Sequence, residues 1–166
     1  EEIAEAEQAL IAEGVPVEEV QKLCEIHVEA FKDGLQIATR QKVVSGHPVD
    51  TYKKENIALN KLMRNFRQVI KKIPTGSDLS NIREIFSQIE EINIHYTRKE
   101  NQLFPFLEGV GFTGPSKVMW GKHDEIRDSI KLFRRSLEAG NAAEIRLVGK
   151  DLLRRLKKMI FMEEKI

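Results

Sequence analysis

His95-Tyr-Thr-Arg-Lys-Glu-Asn-Gln-Leu-Phe-Pro-Phe-Leu107 and Trp120-Gly-Lys-His-Asp-Glu-Ile126 are the stretches from which the rest of the chain can be placed. Each has helical apolar spacing and each carries a histidine. Around the second, Met119, His123, Ile126, Ile130, Phe133 and Leu137 step by four and three, which is one face of an α-helix. Such a face turns toward the core, and it takes His123 with it. His95 lies on the flank of another stripe, Ile82, Ile85, Ile89, Ile92, Tyr96 and Leu103, so its direction is less defined. A helix bundle that aims imidazole nitrogens at its own interior does so to hold something.

Outward from these stretches the period stays helical, and Pro and Gly mark the breaks. A first helix is predicted over 3–12, stopped by Gly14, with Pro16 opening the next. The segment 17–42 carries Val20, Cys24, His27, Phe31 and Gly34 on one stripe, which points His27 inward as well. Ser45-Gly-His-Pro48 reads as the boundary between an N-terminal helical hairpin (1–44) and a main bundle (45–166), with His47 near a helix cap and Pro48 in the first turn. The third helix, 48–73, has the stripe Tyr52, Asn56, Leu59, Met63, Phe66, Ile70 and Ile73. Ser77 or Asp78 would cap a fourth helix running to about 108; a fifth covers 116–138 after a glycine-rich loop. After Gly140-Asn141 a sixth presents Ile145, Val148, Leu152, Leu156, Met159, Glu163 and Ile166. The fold expected is all-α, an antiparallel up-down four-helix bundle with the hairpin ahead of it. The last stripe stops in mid-pattern and the chain opens at Glu1 without Met, so a segment of a longer protein is expected.

Charge excludes more than it suggests. A net charge of +1 gives no whole-molecule attraction to nucleic acid or to an anionic membrane. The basic run Arg146, Lys150, Arg154, Arg155, Lys157 and Lys158 reads as the solvated face of a helix, with no interleaved aromatic side chains to stack on bases. No apolar stretch has the length of a membrane span. Cys24 is the only cysteine, which suits a reducing, cytoplasmic setting.

The periods place His27, Asn56, His95, Glu100, His123 and Glu163 on or beside apolar stripes. Burying such groups without partners costs a few kcal/mol each, roughly, so something must satisfy them. His95, His123 and Glu163 alone make up the two-histidine, one-carboxylate set that suits non-haem iron(II), with His27 as a further metal ligand. The plainer alternatives stay open. A core histidine is often bonded to a neighbour, Glu100 could form a solvated pair with Lys99, Glu163 could fray, and Met159 could be core filler.

Gly46-His-Pro-Val-Asp-Thr-Tyr-Lys-Lys-Glu-Asn56, His95-Tyr through Leu103-Phe-Pro105, Lys122-His-Asp-Glu125 and Met162-Glu-Glu-Lys-Ile166 resemble the four helices of the hemerythrin-like HHE family. Residues 1–44, with Gly14-Val-Pro-Val and Leu23-Cys-Glu-Ile-His27, are similar to an uncharacterised helical segment found fused ahead of such bundles, often with a PAS sensor domain following. The resemblance implies two non-haem irons held by about five histidines and two bridging carboxylates. Here the first-helix histidine corresponds to Asn56, the bridging glutamate to Lys99 with Glu100 one position late, and the last-helix histidine to Met159. His95, His123 and Glu163 carry over. With 4 histidines in the chain the usual di-iron set cannot be assembled.

Iron is then expected in one of two forms. One is a mononuclear non-haem ion on His95, His123 and Glu163; the other is haem b with one or two of His27, His95 and His123 axial and Met159 as a thioether alternative. Asn56, Tyr96, Met119, Trp120 and Met159 are the expected cofactor contacts, with Tyr52, Met63 and Phe104 completing apolar walls. The function expected is a sensory or regulatory domain responding to O2, NO or redox state. A diatomic ligand, a PAS-like output domain downstream and a second copy of the chain are the expected partners. The alternatives are an iron-dependent oxidoreductase, with peroxide or iron-centre repair chemistry, and a metal-free helical interaction module.

Overall fold

The structure, a computed structural model, describes residues 2–30, 44–73, 78–111 and 113–165. It is all-α, with no strand among the described residues. Helices α1 (Glu2–Ala12) and α2 (Val17–Ala30) precede α3 (Pro48–Lys71), α4 (Ser80–Glu90), α5 (Ile92–Arg98), α6 (Phe104–Gly109), α7 (Gly114–Ala139) and α8 (Ala142–Lys165). A π-turn, Lys99–Leu103, joins α5 to α6. The second helix expected over 17–42 is seen as α2 to Ala30, and residues 31–43 lie outside the described residues.

Cap chemistry sets where α3 begins. The side chain of His47 accepts a hydrogen bond from the amide of Val49, and Pro48, which has no N–H to satisfy, fills the first turn. Helix α8 begins in the same manner, the Asn141 carboxamide oxygen accepting from Ala143 N and Glu144 N. Asp78 accepts from Ser80 N ahead of α4.

The apolar faces of α3, α4, α5, α7 and α8 meet in one core. The predicted stripes Leu59, Met63, Phe66, Ile70 and Ile126, Ile130, Phe133, Leu137 are buried in it, as are Leu152, Leu156 and Met159. Phe133 lies at its centre, edge-on to Phe66 with centroids 5.1 Å apart and 4.7 Å from Phe86. Truncating such a ring to alanine costs roughly 3–5 kcal/mol through lost transfer energy and the void left behind. The approach of α8 to this layer is close: a Cβ on Gly149 would stand 2.9 Å from Phe133 Cε2 and 3.1 Å from Ile70 Cδ1.

The fourth predicted helix is not continuous. It breaks at Glu91 and again widens at the π-turn, for a reason visible in the chain. Pro105 has no N–H to return to the carbonyl of residue 101 and its ring crowds that carbonyl, so the α ladder cannot run through. Instead Phe104 N donates to Lys99 O, five residues back. The wider turn spends one extra residue. The inward stripe expected at Leu103 therefore shifts, with Phe104 buried and Leu103 only half-buried.

The N-terminal pair packs on α7. Val20 joins Val118 and Met162 in a second small core, flanked by Leu10, Ile11, Val15 and Phe161.

Candidate metal centre

The π-turn decides what faces the bundle interior beside α5. It carries Lys99 and Glu100 inward together, and both are buried, which rules out the alternative of a solvated surface pair. Two linked polar networks result, one on each.

The first network is built on Glu163 from α8, whose side chain is only 2% exposed, so the end of the helix does not fray it into water. Its Oε2 accepts from Asn56 Nδ2 of α3 at 2.9 Å, and its Oε1 lies 2.9 Å from the Lys99 ammonium. His95 Nε2 stands 3.2 Å from Oε2. The flank position of His95 thus resolves inward. On its other side His95 Nδ1 meets Glu55 Oε2 at 2.7 Å, and Glu55 Oε1 accepts from Arg98 at 2.7 Å. Burial alone would raise the Glu163 carboxyl. The His95 hydrogen bond and the Lys99 charge outweigh it and hold the group down at about 2. Burial lowers the Lys99 ammonium, against the pull of Glu163.

The second network is built on Glu100. Its Oε2 accepts from Arg127 at 2.8 Å, while His123 Nδ1 lies 2.8 Å from Oε1. The Arg127 partner keeps Glu100 an acceptor, so the His123 proton sits on Nδ1 and Nε2 is left with a bare lone pair. Full burial drives His123 down to about 4, so the ring is neutral at pH 7. The imidazole is clamped between Tyr96, stacked at 4.0 Å between centroids, and Phe104 at 5.8 Å. Nε2 of His123 and Oδ1 of Asn56 are buried with no hydrogen-bond partner among the described residues.

Of the expected metal ligands, His95 and Glu163 are in contact. His123 lies across Tyr96 from them, the Tyr96 ring stacked on His123 and edge-on to His95 at 5.7 Å. The side chain of His27 lies outside the described residues. Of the expected cofactor contacts, Asn56, Tyr96 and Met159 are buried and Met119 is packed against the core. Trp120 is 40% exposed and faces outward past Phe104.

Three participants were not read from the sequence: Glu55, Arg98 and Arg127. Arg127 follows His123 by one turn and Arg98 follows His95 by three residues, spacings that put each on the histidine's face. Glu55 adjoins Asn56 and carried no sign of its own.

Among the described residues no three His, Cys, Asp or Glu side chains are gathered as a metal cage. Glu163 is engaged by Asn56, His95 and the Lys99 ammonium, whose charge opposes a metal ion, so this half does not fit one. The His123 half offers one donor, a dry imidazole nitrogen with its ring oriented by a carboxylate.

No curated protein and no solved structure matches the chain. Residues 1–36 match a family of unknown function, DUF438. The hemerythrin HHE cation-binding domain matches residues 47–166, which hold both networks and every helix from α3 to α8. The chain belongs, over that span, to the hemerythrin HHE cation-binding domain family.

Proposed function

We propose that the bundle is a sensory or regulatory module that holds a single iron through His123 and responds to a diatomic gas or to redox state. The observation that carries the reading is His123 Nε2, a fully buried lone pair with no protein partner among the described residues, in a family named for binding cations. Iron, once bound, supplies reversible ligation of O2 or NO and a change of oxidation state. The chain's own residues do the rest. Glu100 and Arg127 fix the tautomer and hold the ring, and Tyr96 and Phe104 set its plane and exclude water. Haem b and a mononuclear ion both ask for this one nitrogen. His95 and Glu163 are engaged by Glu55 and Lys99 and are not open to a mononuclear ion as they stand. Transmission to a downstream output domain would pass through α7 and α8, the helices that carry His123 and Glu163.

A metal-free interaction module is the second reading, favoured by the Lys99–Glu163 pair, which leaves that carboxylate neutralised without a metal. An iron-dependent oxidoreductase draws less from the geometry. Glu100 is occupied as His123's partner, and burial pushes the Tyr96 phenol well above its ordinary range, so neither is poised to move a proton.

The test is the absorption spectrum and iron content of the purified protein and of His123→Ala. Iron is expected in the wild type, with a haem band or without one, and its spectrum should respond to NO. The variant is expected to lose the iron. Full iron retention by His123→Ala, or a wild type that takes up no iron when supplied with haem or ferrous salt, overturns the reading.

A further inference from the structure

We propose that the Lys99 ammonium is the resident cation of the Glu163 half of the bundle, standing in for a metal ion there. This role for Lys99 goes beyond the iron reading and stands without it. Glu163 is a carboxylate placed by α8 in the dry interior, where an unpaired negative charge is not tolerated. Asn56 of α3 and His95 of α5 contact it, and the Lys99 ammonium stands 2.9 Å from its Oε1.

The ammonium is fixed from a second direction. Its Nζ lies over the Tyr52 ring, 5.2 Å from the centroid, on the face that attracts cations. The Lys99 side chain is 6% exposed, so carboxylate and ring hold it away from water. A divalent ion entering between Glu163 and His95 Nε2 would stand a few ångströms from this ammonium in a medium that screens poorly, and would be repelled. The π-turn is what makes the arrangement available. Its extra residue lets Lys99 and Glu100 face inward together, one neutralising Glu163 and the other orienting His123. The bundle thus keeps one half closed by its own side chain and one half open.

Removing the ammonium should therefore create a metal site. Wild type and Lys99→Ala, both full-length and stripped with chelator, are loaded with zinc chloride, desalted and analysed for bound zinc. The variant leaves the Glu163 carboxylate and His95 Nε2 beside vacated space, with Glu55 holding His95 Nδ1 on the far side of the ring, and it is expected to retain one more zinc per chain than the wild type. Equal zinc content in the two overturns the proposal, and surface binding cancels because it is common to both. Should Lys99→Ala not fold, the wild type decides by reductive methylation and peptide mass spectrometry. Lys54, 65% exposed, is expected to be methylated, with Lys99 untouched whether or not excess zinc is present. Methylation of Lys99 at the rate of Lys54, or its appearance only with zinc, overturns the proposal. Neither readout depends on iron at His123, so the two readings fail separately.

Discussion

His123 keeps its proton on one nitrogen because charge and burial act together on it. Burial disfavours the imidazolium and brings the group from 6.5 to about 4 in the folded chain, while Glu100 settles which nitrogen stays protonated. The unfolded chain then binds more protons than the folded one between those values, so stability rises with pH there and is lost as pH falls from 6.5 toward 4. The full span is worth on the order of 3 kcal/mol, since each tenfold change in proton affinity corresponds to about 1.4 kcal/mol. Glu163, held at about 2 against 4.5, adds a second loss in the same direction as pH falls below 4.5. For the protein freed of metal by chelator, urea midpoints at pH 7, 5.5 and 4.5 should drop stepwise. His123→Phe, which keeps a ring between Tyr96 and Phe104 and removes the titrating group, should flatten the step between pH 7 and 5.5. An undiminished step in that variant would place the proton uptake elsewhere. His123 itself was legible from the α7 stripe because a 3.6-residue period fixes direction for a residue in mid-stripe. For His95 the period could not choose, and contact with Glu55 and Glu163 from α3 and α8 decided it.

At the scale of the element, the π-turn shows where periodicity runs out. Helical faces in α3, α7 and α8 could be read because each is an unbroken ladder, and a single phase describes all its residues. Between α5 and α6 the phase changes by one residue. Leu103 and Phe104 were both eligible for the core, and only Pro105, which removes a ladder bond, hinted at the break. The same slip explains Glu100, one position late for a regular helix and buried in a widened one. A turn that holds one residue in excess should give it up cheaply. Deleting exposed Asn101 brings Phe104 into an ordinary α step from Lys99 and keeps the apolar phase on both sides, disturbing only the paired inward placement of Lys99 and Glu100. Deleting Ser87, equally exposed but in the regular ladder of α4, rotates Ile82, Ile85 and Phe86 against Ile89 and Ile92 by about 100°. The Asn101 deletion is expected to shift the urea midpoint far less than the Ser87 deletion. Equal shifts would mean that placing Lys99 and Glu100 inward together is worth as much as the apolar phase of α4.

Across the whole molecule, the N-terminal helices and the bundle share α7, the helix that also carries His123. The sequence suggests a boundary at Ser45–Pro48 but does not say how the two parts meet, because docking between segments a hundred residues apart leaves no local period. The contact turns on Gln8 of α1. Its Oε1 accepts from Thr113 N and Gly114 N, each at 2.7 Å, and its Nε2 donates to Gly111 O. One side chain thus satisfies two amides at the start of α7 that the helix itself cannot pair. The backbones are close enough that a Cβ on Gly114 would lie 2.9 Å from Gln8 Cα. Gln8→Ala removes the acceptor, and loss of a cap of this kind costs about 1 kcal/mol. Gln8→Glu keeps the acceptor and puts negative charge at the positive end of α7, worth roughly 0.3–1 kcal/mol, which offsets the lost donor to Gly111. Limited proteolysis at the 13–16 link and amide exchange in α1 should therefore accelerate in Gln8→Ala and stay near wild type in Gln8→Glu. Because Val118 and Met162 are shared with Val20, exchange in the first turns of α7 should rise in the Ala variant as well. Protection of α7 unchanged while α1 opens would show that the bundle holds His123 without help from the segment docked on it.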